Sequence, residues 1–215
     1  MHTARHLNPS IEGLFFDLDH FLEQPMASEA PIEIERKFLV NRNQFLQAQP
    51  DVVGQRICQG YWTRATLPVF FADMVQALEA LGGFAHLDTV RAQGPDALEL
   101  RVRQRDERFW VTFKSRQELA SGGVAEYEIE VPARVAEPFL AKAQVRLSKT
   151  RYELPLGSAL TLEVDLFEDL GGLAMAEVEI PALDTVLPAL PAWVGEEVTG
   201  QPAYFNRNLA ENGQP

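Results

Sequence analysis

The sequence is poor in cysteine and histidine. Among 215 residues it has one cysteine, Cys58, and four scattered histidines. A single cysteine excludes a disulfide within the chain, and the histidines lack the spacing of a zinc site. No apolar run approaches the roughly 20 residues of a membrane helix, and the first ten residues lack the apolar segment of a signal peptide. We therefore expect a cytoplasmic protein that has no membrane partner.

Basic residues are also scarce. The chain has 31 acidic and 19 basic residues, which gives a formal net charge of −12 at pH 7. A general nucleic-acid binder needs the opposite balance, so no nucleic-acid partner is expected. An anionic ligand would have to meet locally concentrated positive charge or a bound metal.

Residues 1–30 differ in pattern from the rest of the chain. An apolar stripe over 11–23, preceded by Ser10, predicts a short amphipathic helix that either docks on the main body or belongs to a flexible arm. Within it, residues 14–19 (LFFDLD) resemble the first motif of haloacid-dehalogenase phosphatases. His20 and Phe21 stand where that motif continues with Gly-Thr, and no alternation of strands and helices follows, so we reject this interpretation.

From Pro31 onward the sequence predicts short strands bounded by glycine and proline. They are expected at 32–40, 56–63, 98–104, 109–116, 125–131, 145–154, 160–167 and 174–180. Two helices interrupt them. The first, over 68–81, begins with proline and ends before Gly82-Gly83, and the second covers about 137–142.

Most of these strands carry a charge at every second residue, so each has one charged face and one mainly apolar face. An antiparallel sheet with a solvated outer face is the ordinary outcome of such alternation. The charges here are dense and sorted by strand, which favours the alternative that the sheet closes into a barrel with a charged interior. Burying so many charges is costly unless ions of opposite sign fill the space. The pattern therefore indicates a ligand that combines phosphate with a divalent metal.

The segment EIERK at 33–37 resembles the ExExK signature of the CYTH domains, also called triphosphate tunnel metalloenzymes. Further motifs follow in the family's order, and the resemblance covers most of residues 31–210. These motifs are QGY at 59–61, LRVR at 100–103, TFK at 112–114, EYEIE at 126–130, KTRY at 149–152, EVD at 163–165 and EVE at 177–179.

The resemblance implies a mainly β, α+β fold: an eight-stranded antiparallel β-barrel tunnel with a charged interior and helices packed outside. It also implies two sets of site residues. The phosphate-binding set is Lys37, Arg101, Arg103, Lys114, Lys149 and Arg151, and the ligands of Mg²⁺ or Mn²⁺ are Glu33, Glu35, Glu128, Glu130, Asp165, Glu177 and Glu179. Lys37, Lys114 and Glu35 are the expected catalytic residues. Glu126 and Arg116 have the same parity but suit structural ion pairs equally well.

The function implied is metal-dependent hydrolysis of a small triphosphate, above all of inorganic tripolyphosphate to pyrophosphate and phosphate. The strand motifs do not separate this activity from a nucleoside or thiamine triphosphatase, a class IV adenylate cyclase or a non-catalytic polyphosphate-binding module. Aromatic residues such as Tyr61, Trp62 and Phe205 either recognise an organic group or simply pack.

The expected organisation is an N-terminal helical extension or arm at 1–30, a tunnel domain at 31–210 with a helical insertion at about 64–97, and a tail at 211–215. Either additional segment would cap a tunnel mouth or mediate a homodimer.

Overall fold

The computed structural model describes residues 31–119 and 123–215, so the helix predicted at 11–23 lies outside the described residues. The strands are β1 (Ile32–Glu33), β2 (Glu35–Val40), β3 (Gln55–Tyr61), β4 (Leu98–Arg105), β5 (Arg108–Ser115), β6 (Val124–Val131), β7 (Val145–Leu156), β8 (Leu160–Phe167), β9 (Ala174–Glu179) and β10 (Val194–Glu197). The helices are α1 (Arg42–Ala48), α2 (Leu67–Ala80), α3 (Leu87–Ala97), α4 (Ala133–Lys142) and α5 (Asn206–Asn212), and Pro202–Tyr204 forms a 3₁₀ turn. None of the helices in these residues is long and apolar enough to cross a membrane.

The described strands form one antiparallel sheet in the order β1-β6-β5-β4-β3-β7-β8-β9-β2-β10. The segment 32–40 contacts two distant parts of this sheet. In β1, Ile32 pairs with Ala125 of β6, whereas in β2 Glu35 pairs with Glu179 of β9. The Ile34 carbonyl between them accepts a hydrogen bond from the Ile180 amide at 2.8 Å. Neighbouring residues of this one extended segment therefore bond to β6 and β9, which lie near the two ends of the strand order.

The predicted mainly β, antiparallel sheet with helices is confirmed, but its strand count is ten, in an open order, where eight in a closed barrel were expected. Two features account for the difference. The predicted strand over 32–40 is interrupted at Ile34, and Val194–Glu197 adds an edge strand beside β2. Helices α1, α3 and α5 were not predicted individually, although α3 lies within the helical insertion expected at about 64–97. Helix α3 contains Gly94 with φ of +69° and Pro95, which break the apolar periodicity that predicts helices.

The apolar face of the sheet is covered by helices. Phe71, Met74 and Leu78 of α2 are buried in one cluster with the apolar residues of β4, β5 and β6, and the rings of Phe71 and Phe113 lie 5.2 Å apart. On the other part of the sheet, Phe45 of α1 is buried in a separate cluster with apolar residues of β2, β8 and β9. This packing leaves the charged residues of the central strands on the opposite face.

Gly60 of β3 lies where the strand meets the end of α4. A Cβ atom added to Gly60 would lie 2.6 Å from the Ala143 Cβ and 2.9 Å from the Leu140 Cδ1. These distances are too short for normal contacts, so β3 and α4 approach closely only because residue 60 has no side chain. The neighbours of Gly60 in the strand are Gln59 and Tyr61, which are both buried.

Replacement of Gly60 by alanine is expected to lower the free energy of unfolding by about 1–3 kcal/mol, because an added methyl group overpacks this contact. Urea denaturation monitored by tryptophan fluorescence measures the change. Gly195→Ala is a matched control, because a Cβ at residue 195 lies at an ordinary 3.5 Å from the Leu39 carbonyl oxygen. Equal stability of the two variants would contradict the packing argument.

Candidate functional site

The charged face of the sheet surrounds a cavity of about 300 Å³. All of the predicted phosphate-binding residues meet there, together with most of the predicted metal ligands. The charged residues and amides that line it are Glu33, Glu35, Lys37, Gln59, Arg101, Arg103, Lys114, Glu126, Glu128, Lys149, Arg151, Glu163, Glu177, Glu179 and Asn206. Strands from both ends of the sequence contribute, so alternation within each strand brings distant residues to one place.

The most deeply buried charges form a network beside the cavity. Lys149 and Asp165 are 1% and 0% exposed, and the Lys149 Nζ lies 2.5 Å from the Asp165 Oδ2. Arg151 donates two hydrogen bonds to the same carboxylate, from Nε at 2.7 Å and from Nη2 at 2.6 Å. Burial raises the pKa of Asp165, but the charges of Arg151 and Lys149 outweigh it, and the net pKa is lowered. Asp165 is thus an anion that holds two cations in position.

Lys37 connects this network to β2. Its Nζ lies 2.5 Å from the Glu177 Oε1 and 2.9 Å from the Glu35 Oε1. Burial lowers the pKa of Lys37, but the two carboxylates raise it above its ordinary value. The ammonium group therefore stays charged at the edge of the cavity.

Arg101 and Arg103 of β4 project beside Glu126 and Glu128 of β6. The Arg101 Nη2 lies 2.7 Å from the Glu126 Oε1, and the Arg103 Nη2 lies 2.6 Å from the Glu128 Oε2. Burial and the neighbouring Arg101 lower the pKa of Arg103. The Arg103 Nε is buried and donates no hydrogen bond to the described residues. Arg103 therefore keeps a donor that a ligand anion can use.

Lys114 of β5 lies between two carboxylates. Its Nζ is 2.5 Å from the Glu33 Oε2 and 2.9 Å from the Glu126 Oε2. Burial and a hydrogen bond with Glu126 raise the pKa of Glu33 to about 8. Two carboxyl groups and one ammonium group therefore meet at this end of the cavity, and the pKa of Glu33 favours its protonated form.

The register of the strands also places like charges opposite one another. Glu35 pairs with Glu179 across β2 and β9, and Glu163 pairs with Glu177 across β8 and β9. Like charges directly opposite destabilise a sheet, and a cation bound between them relieves the repulsion. In the described residues no group of three or more histidine, cysteine or acidic side chains is arranged to hold a metal ion. Three of these carboxylates, those of Glu35, Glu163 and Glu177, are instead paired with Lys37 or Arg151.

Two predicted ligands do not line the cavity. Asp165 lies beneath it, and Glu130 forms an ion pair with Arg108, whose side chain is 62% exposed. Glu163, Gln59 and Asn206 line the cavity but were not among the predicted site residues. Glu163 could have been predicted, because it is two residues from Asp165 and lies on the same face of the strand. Asn206 could not, because no motif or apolar pattern in the sequence predicts the helix that it begins.

A second, larger cavity of about 800 Å³ adjoins the first. The residues that line both cavities are Glu33, Glu35, Lys37, Arg101, Lys114 and Asn206, so the two cavities adjoin at these side chains. Phe205 and Tyr61 both border the larger cavity, where Phe205 is 41% exposed and Tyr61 is buried, whereas Trp62 is buried away from it. Trp62 packs against Phe70, which shows that this aromatic belongs to the core.

The known proteins that this chain resembles include several that are named inorganic triphosphatases. An inorganic triphosphatase of Acetivibrio thermocellus is 37% identical over 121 residues, which cover 53% of this chain and 72% of the relative. An inorganic triphosphatase of Nitrosomonas europaea is 35% identical over 120 residues, which cover 54% of this chain and 76% of the relative. A crystal structure of the inorganic triphosphatase NE1496 aligns with a TM-score of 0.50 and 29% identity over 85% of this chain and 97% of that chain. No protein-family model matches the sequence.

Asp165→Asn is expected to lower the free energy of unfolding by about 3–5 kcal/mol, because it leaves the charges of Lys149 and Arg151 buried without their shared anion. Urea denaturation at pH 7 measures the loss. The control is Glu153→Gln, which removes a partly exposed ion pair with Arg105 and should cost less than about 1 kcal/mol. If the free energy of unfolding falls as little in Asp165→Asn as in Glu153→Gln, the buried network does not stabilise the fold.

Proposed function

The chain belongs to the CYTH, or triphosphate tunnel metalloenzyme, family, and we propose that it hydrolyses inorganic tripolyphosphate to pyrophosphate and phosphate inside the charged cavity. The family predicted from the sequence motifs is therefore confirmed. One observation carries the proposal: all of the predicted phosphate-binding cations surround the same cavity as the acidic residues of β2, β8 and β9. Arginine and lysine donate charge-assisted hydrogen bonds to phosphate oxygens, whereas carboxylates suit hard divalent cations.

We further propose that the segment 32–40 acts as one strand that closes the sheet into the eight-stranded tunnel expected of the family. The pairing of β1 with β6 and of β2 with β9 supports this closure, because both partners bond to consecutive parts of one segment. The Glu126 amide also donates a 3.0 Å hydrogen bond to the Pro31 carbonyl, which extends the contact with β6. Strand β10 would then be an addition to the tunnel and not part of its wall.

A divalent cation, Mg²⁺ or Mn²⁺, fits the donor set of the cavity. Carboxylate oxygens are the preferred ligands of both ions. The opposed pairs Glu35 with Glu179 and Glu163 with Glu177 place four of them on neighbouring strands. These residues, with Glu33, are the proposed ligands. Such a cation, when bound, supplies positive charge to the phosphate oxygens and to the attacking water.

The chain's own residues bind and orient the substrate. Lys37, Arg101 and Lys114 line both cavities and would hold the phosphate nearest the larger one. Arg103, Lys149 and Arg151 would hold the phosphates farther inside. Water attacks the terminal phosphorus as the bridging P–O bond breaks, and the six cations stabilise the charge that moves onto the leaving pyrophosphate. No serine, cysteine or histidine nucleophile is required.

Lys149 and Arg151 would be positioned by Asp165, whose oxygens they share. We therefore propose that Asp165 orients phosphate-binding side chains, in addition to the metal-binding role that the family resemblance implies. The formation of a homodimer and a cytoplasmic location stay predictions from the sequence.

Phosphate release distinguishes the candidate substrates. We expect rapid release from tripolyphosphate with Mg²⁺ or Mn²⁺, little from pyrophosphate, and none from any substrate with excess EDTA. Parallel assays use ATP and thiamine triphosphate, with cyclic AMP as a second product to be measured. Release from ATP at a rate comparable to that from tripolyphosphate would replace the inorganic substrate with a nucleotide, and undiminished release in EDTA would contradict metal dependence.

Arg103→Ala is expected to lower kcat for tripolyphosphate by about 100-fold or more, because it removes preorganised positive charge from the cavity. Lys37→Ala should have an effect of the same order. Arg56→Ala is the matched control, because Arg56 is 63% exposed and pairs with Glu168 away from the cavity. Circular dichroism establishes that each variant is folded. A folded Arg103→Ala protein with the turnover of the control would refute the assignment of the site.

A further inference from the structure

Trp110 of β5 lies on the same face of the sheet as the phosphate-binding residues, although it is not among the described residues that line the charged cavity. It is four residues from Lys114, and side chains separated by an even number of residues share a strand face. In the register of the sheet, Trp110 stands opposite Arg103 of β4 and Glu130 of β6. The proposed function gives this partly buried aromatic side chain no role.

Two arginines lie over the indole ring of Trp110. The Cζ atom of Arg103 is 5.8 Å from the ring centroid, and the Cζ atom of Arg108 is 5.0 Å from it. Both distances are within the roughly 6 Å over which a guanidinium group is attracted to an aromatic face. Trp110 therefore contacts one arginine that lines the cavity and one arginine that lies outside it.

The ion pair of Arg103 does not fix the orientation of its guanidinium group. Its Nη2 donates to both oxygens of Glu128, at 2.7 and 2.6 Å. A contact through one nitrogen leaves the guanidinium plane able to turn about that nitrogen, whereas a fork of two nitrogens fixes the plane. Arg151 has such a fork, since its Nε and Nη2 both donate to Asp165. Arg103 therefore needs a second group to fix its plane, and the ring of Trp110 lies against it.

Arg108, the second arginine on the ring, is held by Glu130. Its Nε donates to the Glu130 Oε1 at 2.8 Å, and its Nη2 donates to the Oε2, so two nitrogens bind one carboxylate. The Arg108 side chain is 62% exposed, so this ion pair contributes little to stability by itself. The contacts run from Glu130 through Arg108 and Trp110 to Arg103. Glu130, which does not line the cavity, thus has an indirect connection with the site.

We propose that Trp110 is a positioning residue, whose indole ring fixes the plane of the Arg103 guanidinium group so that the donors not used by Glu128 meet a phosphate oxygen. This inference rests on the proposed function. The buried Arg103 Nε donates no hydrogen bond to the described residues, so the orientation of the plane decides whether this nitrogen reaches an acceptor. Without the ring, Arg103 keeps its charge in the cavity and loses only its orientation. The effect of removing Trp110 is therefore smaller than the effect of removing Arg103.

The test is a double-mutant cycle on kcat for tripolyphosphate, measured in the full chain with Mg²⁺. Trp110→Leu should lower kcat about fivefold, which is about 1 kcal/mol at 1.4 kcal/mol per factor of ten. In Arg103→Ala, where no guanidinium group is left to orient, the same substitution should lower kcat no further. In Arg56→Ala, the control away from the cavity, it should again lower kcat about fivefold. Trp110→Phe keeps a flat ring and should restore kcat to within about twofold of the unaltered protein.

A decrease of equal size with and without Arg103 would overturn the inference, because Trp110 would then act through the fold as a whole. An unchanged kcat in Trp110→Leu would overturn it as well. Circular dichroism and urea denaturation establish that each variant is folded. If Trp110→Leu does not fold, Trp110→Met takes its place in the cycle, since an unbranched, flexible side chain fills the space of the ring without a flat face.

Failure of the proposed function gives a different result, because the unaltered protein then releases no phosphate from tripolyphosphate. Calorimetric titration with tripolyphosphate and Mg²⁺ applies the same cycle to the dissociation constant. Weaker binding in Trp110→Leu than in the unaltered protein, with no such difference when Arg103 is already alanine, supports the inference. An equal difference in both backgrounds, or none in either, overturns it.

Discussion

Charge that is buried within the sheet constrains the rest of the structure. Lys149 and Asp165 are almost wholly removed from water, and Arg151, Glu177 and Lys37 continue the network. An unpaired charge in such a place costs several kcal/mol, so each buried cation needs a carboxylate within reach. The order β7-β8-β9-β2 satisfies this requirement, because the acidic strands β8 and β9 lie between the basic residues of β7 and β2.

The same pairing defines how a charged ligand can bind. Most cations of the site already have a carboxylate partner, so a phosphate chain that enters alone would compete with those partners and would bring further negative charge. If a divalent cation enters with it, the carboxylates gain a new counter-ion while the lysines and arginines turn to phosphate. Metal and phosphate together thus exchange partners with the internal ion pairs and leave the total charge nearly balanced. The proposed binding of a triphosphate together with a divalent cation agrees with this exchange.

The period-two alternation of charge allowed much of the fold and site to be predicted from the sequence. It located the strand 160–167 with the observed bounds and assigned Lys37, Arg101 and Lys149 to one face. It did not reveal the interruption at Ile34 or the edge strand β10, because these depend on pairing with distant strands. The depth of Asp165 was equally hidden, since alternation gives the face of a residue and not the distance from the solvent.

The two-sided pairing of residues 32–40 has a consequence for how the chain reaches this structure. Lys37 and its partner Glu177 are separated by 140 positions, so β2 is synthesised long before β9 exists. At ribosomal rates of about 5–20 residues per second, the first strand waits on the order of 10 s for its partner. During that interval its backbone donors and acceptors are free, and a second nascent chain offers the same strand. The pairing of β2 with β9 is therefore a late event in synthesis, and until it forms, association between copies competes with it.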